Sequence, residues 1–271
     1  RIAVLSICAL ALYAGVIYSN SFETPFLFDD VIQIEDKSRI RNLDNYFTPE
    51  IIISRRPLVE FTFALNYRFG KLNVFGYHLA NVLIHIINGI LVYFLALPII
   101  RRLIVKSENK DNSEIDGFQT QAMALFAAFV FIAHPLQTQA VTYIAQRYTS
   151  LAAMFYMLSI LLYINGRLWQ KRIVSAFDVR ILVYFGFSFV FGGLAFMSKE
   201  NAASLPFAVL LVEFLLFDRT WKAWRRKLIW LLPAFVALAV VILYVSGFFR
   251  GDFDFGRLLE EVSYRSKETG K

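Results

Sequence analysis

The sequence predicts an all-α, polytopic integral membrane protein with about seven transmembrane helices. Three observations predict it. Of 271 residues, 58% are hydrophobic, and the mean hydropathy is +0.54. The apolar residues come in long blocks rather than at amphipathic spacing. Lys and Arg gather in alternate connections between the blocks. A hydrocarbon core about 30 Å thick takes roughly 20 helical residues to cross, and only helices or closed barrels satisfy the backbone inside it. Runs of Leu, Phe, Ala and Ile favour helices.

The spans are predicted near Ile2–Ser21, Phe75–Ile100, Phe118–Ala133, Thr149–Ile164, Ile181–Met197, Ala202–Phe217 and Leu228–Phe249. The first is too long for a signal peptide and lacks a small-residue cleavage site. The third has a strictly apolar core, Ala122–Ala133, that crosses only with flanking Gln and Thr drawn in. Connections 101–118, 167–180 and 218–227 carry 13 Lys/Arg in 42 residues, against 9 in 73 for segments 23–74, 134–150 and 198–201. Positive charge is retained on the cytoplasmic side, so the N-terminus is expected inside and the first loop, 23–74, outside. The net charge of +7 then reads as a topology signal and an affinity for anionic membrane lipids, with no nucleic-acid footprint. Cys8, alone, permits neither an internal disulfide nor a Cys-based metal site. Residues 1–249 form the membrane module on this reading, and 250–271 read as the start of an outer loop that breaks off early.

Asp29 and Asp30 follow the first span closely, so both carboxylates are expected near the outer surface. Such a pair could take a proton from an acceptor hydroxyl, or serve only as a helix cap or solvated turn. It could also hold a divalent ion, although two carboxylates without further ligands establish no metal site, and no other cofactor is implied. Ser54-Arg55-Arg56-Pro57 opens a short predicted helix with Pro at its first position and Gly70 as a stop. Leu58, Phe61, Leu65 and Phe69 form an apolar stripe, with Glu60, Asn66 and Arg68 left polar, which suits a helix lying on the membrane interface. Arg55 and Arg56 at its start could bind a phosphate, or simply lipid headgroups.

In the second span His78, Asn81, His85 and Asn88 fall within about 80° of the helix circumference at 100° per residue. A polar stripe in a lipid-length helix lines a site or bonds to neighbouring helices, and both readings stand. His134-Pro135 ends the third span, with Thr138, Thr142, Gln146, Thr149 and Ser150 following at helical spacings. Arg147 among them needs an anion or a wet cavity. Ser198-Lys199-Glu200 ends the fifth span, where Lys199 could contact a phosphate and Glu200 could pair with it or with Arg147. Glu213, near the inner end of the sixth span, is expected to snorkel toward the basic loop. All the other charged candidates map to the outer face. A carboxylate with clustered cations suits transfer from a phosphate-bearing lipid, where cations hold the leaving phosphate.

The ordered set Phe28-Asp29-Asp30, Arg56-Pro57-Leu58, Leu65-Asn66-Tyr67, Phe75-Gly76-Tyr77-His78 with Asn81 and His85, His134-Pro135, Thr138-Gln139-Ala140-Val141 and Ser198-Lys199-Glu200 resembles a known family. It is similar to the membrane part of the tetratricopeptide-repeat-containing O-mannosyltransferase-like proteins, within the GT-C glycosyltransferase superfamily. The resemblance runs from the first span to about Phe217. It implies seven spans, a long first outer loop with juxtamembrane helices, and an acidic residue there as catalytic base. It implies inverting transfer from a polyprenyl-phosphate-linked sugar to a hydroxyl on a protein or glycan, with further spans and a repeat domain downstream. On it, Asp29 and Asp30 are the catalytic candidates. Arg56, Arg147, Lys199 and His78 are expected at the donor phosphate, supported by Arg55, His134, Glu200, Asn81 and His85. Animal members usually have Glu where this chain has Gln139. Gln139 with Gln146-Arg147 resembles the bacterial branch, implying a bacterial inner membrane with the site facing the periplasm, or the ER membrane in a eukaryote. Two other classes stay open: a lipid or sugar transporter, which would bury charge near the midplane, and a non-catalytic scaffold for the repeat domain.

Overall fold

A computed structural model of the chain describes residues 2–48, 56–104, 113–172 and 178–217. Residues to 216 form one compact unit and 217–271 a second, of which only Phe217 is described. The described residues are helical, with no strand among them. The α-helices are α1 (Ile2–Ile17), α2 (Pro57–Gly70), α3 (Val74–Ile104), α4 (Ser113–Ala133), α5 (Pro135–Thr142), α6 (Arg147–Gln170), α7 (Val179–Ser198) and α8 (Leu205–Val212). Short 3-10 and π turns fill much of the loop between α1 and α2, and a π turn, Glu213–Phe217, continues α8.

Four stretches are long and apolar enough to cross a membrane: Val74–Arg102, Ile144–Gln170, Val179–Ser198 and Glu200–Phe217. A fifth arises if α4 and α5, bent by 61° at His134, count as one broken span. The protein is therefore an integral membrane protein, with four to five such helices described where seven were expected. The difference has two sources. The first predicted span forms only the 16-residue α1, and the last, Leu228–Phe249, lies outside the described residues.

The helices pack around two cores. One joins Leu10 and Ala14 of α1, Val82 of α3, and Ala124, Ala128 and Ile132 of α4. Gly89 lets α3 and α4 approach closely here, since a Cβ on it would sit 2.6 Å from Ile132 Cδ1. The other core gathers Ile34 and Ile40 of the first loop, Val59, Phe63 and Ala64 of α2, and Ile144 and Tyr148 at the head of α6. α2 also turns a face into this core: Val59, Phe63 and Ala64 are buried together with Glu60, while Leu58, Phe61 and Leu65 of the predicted stripe are half-buried and Phe69 is exposed. Lys37 from the loop reaches Glu60 Oε1 at 2.7 Å, which offsets part of the cost of burying the carboxylate, while Oε2 has no hydrogen-bond partner among the described residues.

The polar stripe of α3 is a set of clamps. His78 Nε2 bonds Thr24 O at 2.8 Å, His85 Nε2 bonds Ile132 O at 3.2 Å, and Asn88 Nδ2 donates to Ser150 O at 3.0 Å. Asn81 Nδ2 donates to Val141 O at 3.2 Å and Ile144 O at 3.4 Å. Ile132 and Val141 lie in the last turns of α4 and α5 and Ile144 in the break that follows, where carbonyls are left without intrahelical donors, whereas Thr24 lies in the first loop and Ser150 in the first turn of α6. Ile132 O, at the end of α4, also accepts the Tyr18 hydroxyl. Glu213 likewise departs from expectation. It is buried and does not snorkel: its carboxylate accepts from Arg167 and from the Tyr163 hydroxyl, tying the inner part of α6 to the turn after α8.

Candidate functional site

The break between α5 and α6 positions the site. His134 caps α5 with its ring Nδ1, which accepts Leu136 N–H, and Pro135 sets the first helical residue. The helix stops at Thr142, and Tyr143 to Gln146 turn the chain before α6 begins at Arg147. Residues of this turn and of the first turn of α6 reach out to the other candidate elements.

Asp30 meets it first. The carboxylate is 1% exposed, its Oδ1 accepting Ala145 N–H at 2.6 Å and its Oδ2 accepting Leu27 N–H at 3.1 Å. Burial pushes its pKa above the ordinary carboxylate value, against those hydrogen bonds. Asp29, one residue earlier, is exposed, and its backbone N–H donates to the Tyr143 hydroxyl at 2.9 Å. A left-handed backbone at Phe28, φ 49°, which a non-glycine residue adopts rarely, leads into the pair, and the helical backbone of Asp29 and Asp30 sets their side chains about 100° apart. With both Asp30 oxygens committed to backbone donors, the pair does not present two open carboxylates to an ion. Among the described residues no three of His, Cys, Asp and Glu gather at a possible metal site.

Arg56 also has a left-handed backbone, φ 57°, just before Pro57. Its guanidinium grips Glu200 with Nε and Nη2, the shortest contact being 2.8 Å, and lies 5.2 Å from the Tyr148 ring centre. Glu200 thus pairs across to α2, rather than with Lys199 or Arg147. Lys199 donates to Thr149 Oγ1 at 2.6 Å, and Thr149 in turn donates to Gln146 Oε1 at 2.8 Å. Burial and then the positive field of Arg56 hold the Lys199 pKa below the 10.5 of an ordinary lysine, with Glu200 opposing. Arg56, Glu200, Lys199, Tyr148 and Thr149 therefore form one charged and polar cluster at the head of α6.

Arg147 belongs to the same turn and points the other way. It is 0% exposed, and its donors reach Asn81 Oδ1 (2.7 Å), Asn66 Oδ1 (2.6 Å), Thr62 Oγ1 (3.3 Å) and Tyr77 O (2.8 Å). Its guanidinium also covers the Phe63 ring at 4.6 Å. Neutral oxygens and an aromatic face thus receive a cation that the sequence led one to expect beside an anion or water. The result is a knot joining α2, α3 and α6. His78 and His85 are buried in the clamps already described, His78 Nδ1 having no partner among the described residues. Arg55 lies outside the described residues.

Sequence reasoning overlooked Tyr143, Tyr148 and the inward role of Asn66. Asn66 stands inside a quoted motif; Tyr143 sits where a helical polar spacing is broken, which periodicity alone does not flag. A separate open cavity of about 570 Å³ is lined by Ser38, Arg39, Asn45 and Thr48 on the first loop. None of these four belongs to the cluster above, in which Glu200 is exposed, Arg56, Lys199 and Thr149 are half-buried and Tyr148 is buried.

No family model matches the chain, and no solved structure does. Curated relatives do. Protein O-mannosyl-transferase Tmtc3 of Drosophila melanogaster is 30% identical over 174 residues, 59% of this chain and 18% of that protein. Protein O-mannosyl-transferase TMTC2 of Mus musculus is 35% identical over 113 residues, 41% of this chain and 11% of that protein. Protein O-mannosyl-transferase TMTC1 of Homo sapiens is 26% identical over 222 residues, 75% of this chain and 23% of that protein. The chain therefore spans less than a quarter of these relatives' length. Over the larger part of its own length, and with the motifs that predicted it, the chain is a homologue of the protein O-mannosyl-transferases.

Proposed function

We propose that this chain is the membrane part of a GT-C type, inverting glycosyltransferase. It would move a sugar from a polyprenyl-phosphate-linked donor to a hydroxyl on a protein Ser/Thr or a glycan, on the extracytoplasmic face. The observation that carries the reading is the turn at the head of α6. Asp29 is fastened to it through Tyr143, Arg56 lies over Tyr148, and Lys199 is bonded to Thr149, so one short segment holds an exposed carboxylate and two cations.

On this reading Asp29 takes the proton of the acceptor hydroxyl as its oxygen attacks the anomeric carbon. The bond from that carbon to the donor phosphate oxygen breaks, and the lipid phosphate leaves carrying the charge. Arg56 and Lys199 hold that phosphate, with Glu200 giving up part of its grip on Arg56 when the donor arrives. Asp30 orients Asp29 by fixing the turn it stands on. His78 anchors the start of the same loop at Thr24, and Arg147 with Asn81 keeps the head of α6 in register with α2 and α3. His85 and His134 stabilise the break between α4 and α5. Mannose as the sugar and protein as the acceptor follow the relatives' names. The bacterial inner membrane follows Gln139 and its neighbours, and no metal takes part in the steps written here.

The test is purification with native lipid and mass spectrometry of whatever is bound. A polyprenyl-phosphate sugar in the wild type, lost when Arg56 and Lys199 are both neutralised, supports the proposal. A protein that carries no such lipid and is indifferent to its addition points instead to a membrane scaffold.

A further inference from the structure

We propose that Tyr143 is a positioning residue that fixes the Asp29 carboxylate for proton transfer, through a hydroxyl bonded to Asp29 at the rim of the cluster. The inference rests on the reading of Asp29 as the base. Tyr143 is the residue at which α5 ends, and its φ and ψ of −85° and 109° turn its chain from helix into an extended step. The side chain crosses to the first loop, where the hydroxyl oxygen accepts the Asp29 N–H at 2.9 Å. That leaves the phenol proton to be donated, and on this proposal the Asp29 carboxylate, carried on the same residue, receives it. Burial raises the Tyr143 pKa above the ordinary tyrosine value, with the charges of Asp29 and Asp30 adding to it, so the phenol keeps this proton at working pH.

The surroundings make this contact more than a chance touch. Ala145, two residues beyond Tyr143, holds the buried Asp30, so the turn fastens both acids at once. The Tyr143 ring meets Phe28 edge to face, with centres 6.4 Å apart and planes at 87°. Phe28 itself is 83% exposed on its left-handed backbone, which leaves Asp29 on an outward turn with solvent around it. An exposed carboxylate on such a turn would sample several rotamers, whereas a base must hold one geometry against the attacking hydroxyl. The Tyr143 hydroxyl supplies that restraint. Nothing else described bonds the Asp29 side chain.

Tyr143→Phe removes the oxygen and keeps the ring that packs on Phe28. With the full chain, a polyprenyl-phosphate mannose donor and a Ser/Thr peptide, kcat should fall about tenfold or more, the loss expected for one hydrogen bond to a charged group. KM for donor and acceptor should stay within about twofold if only alignment is lost. The melting temperature should stay at the wild-type value, which a merely structural role would not allow. Wild-type kcat in Tyr143→Phe beside an inactive Asp29→Asn overturns this inference and leaves the base assignment standing. Turnover by Asp29→Asn at the wild-type rate overturns both. A fall in kcat matched by a lower melting temperature makes Tyr143 merely structural and also overturns it.

Discussion

At Asp30 both carboxylate oxygens accept backbone N–H groups, while one residue away Asp29 is left exposed with its backbone N–H on Tyr143. The two acids should therefore fail differently when changed. Asp30→Asn turns one acceptor into an NH₂ group facing a backbone donor, at a cost of about 1–3 kcal/mol. Its melting temperature in detergent should fall, and activity with it. Asp29→Asn should abolish transfer while leaving the melting temperature and donor binding near wild type; turnover within a few-fold of wild type would remove it as the base. Lys199 offers a pH test. Its pKa is lowered, chiefly by burial, so the cation proposed to hold the donor phosphate is lost as pH rises through a value below 10.5. Donor affinity should drop on that alkaline side. Lys199→Arg stays charged there and should keep its affinity, and titrations of both variants from neutral pH upward would decide it.

Arg147 shows what one residue can do for several elements. Replacing it with Met would strand Asn66 Oδ1, Asn81 Oδ1 and Tyr77 O without its donors, and about 2–4 kcal/mol of stability should go with them. Arg147→Lys should recover little, since one ammonium cannot reproduce a planar fork spread over α2 and α3. Chemical denaturation in detergent would measure both. The same kind of reasoning applies to the close approach of α3 and α4. Gly89→Leu should force them apart by overpacking against Ile132, costing about 1–3 kcal/mol, whereas Gly193, with nothing within 4 Å of its Cβ direction, should accept Leu with little change. A stable Gly89→Leu protein would show that the helices have room to move. The stripe on α3 was legible as polar and inward facing, but its partners were not. They are backbone carbonyls of the first loop, of the α4–α5 and α5–α6 breaks and of the first turn of α6, and a sequence does not show which of these will abut α3.

For the whole chain, the Lys/Arg asymmetry predicts that the loop carrying Asp29, the α5–α6 break and Lys199 share the outer face. The bend at His134 is where this arrangement is decided. If α4 and α5 together cross, the later connections keep the predicted sides; if they re-enter, each later connection changes sides. Cysteines placed singly at Gln33, Ser107, Gln137, Ser175 and Trp224, in a Cys8→Ala background, can be probed with an impermeant thiol reagent. Labelling from outside at 33 and 137 alone is the expected result. Outside labelling at 175 or 224 would set the basic connections outward and separate the proposed face into two.

The sequence by itself determined that this protein crosses a membrane as helices, since long apolar runs have no other stable place for their backbone polar groups. It also supplied the candidates for the site, Asp29, Arg56 and Lys199 among them, within an ordered set of motifs. Only the tertiary structure decided which members of that set face outward. Asp29 and Asp30 are adjacent in sequence, yet packing against the α5–α6 turn buries one and leaves the other exposed. Arg56 and Arg147 are alike in composition, yet one lies on an exposed pair with Glu200 and the other is enclosed by neutral oxygens. Burial and partner choice depend on segments 60 to 144 residues away along the chain, and those distances close only when the helices pack.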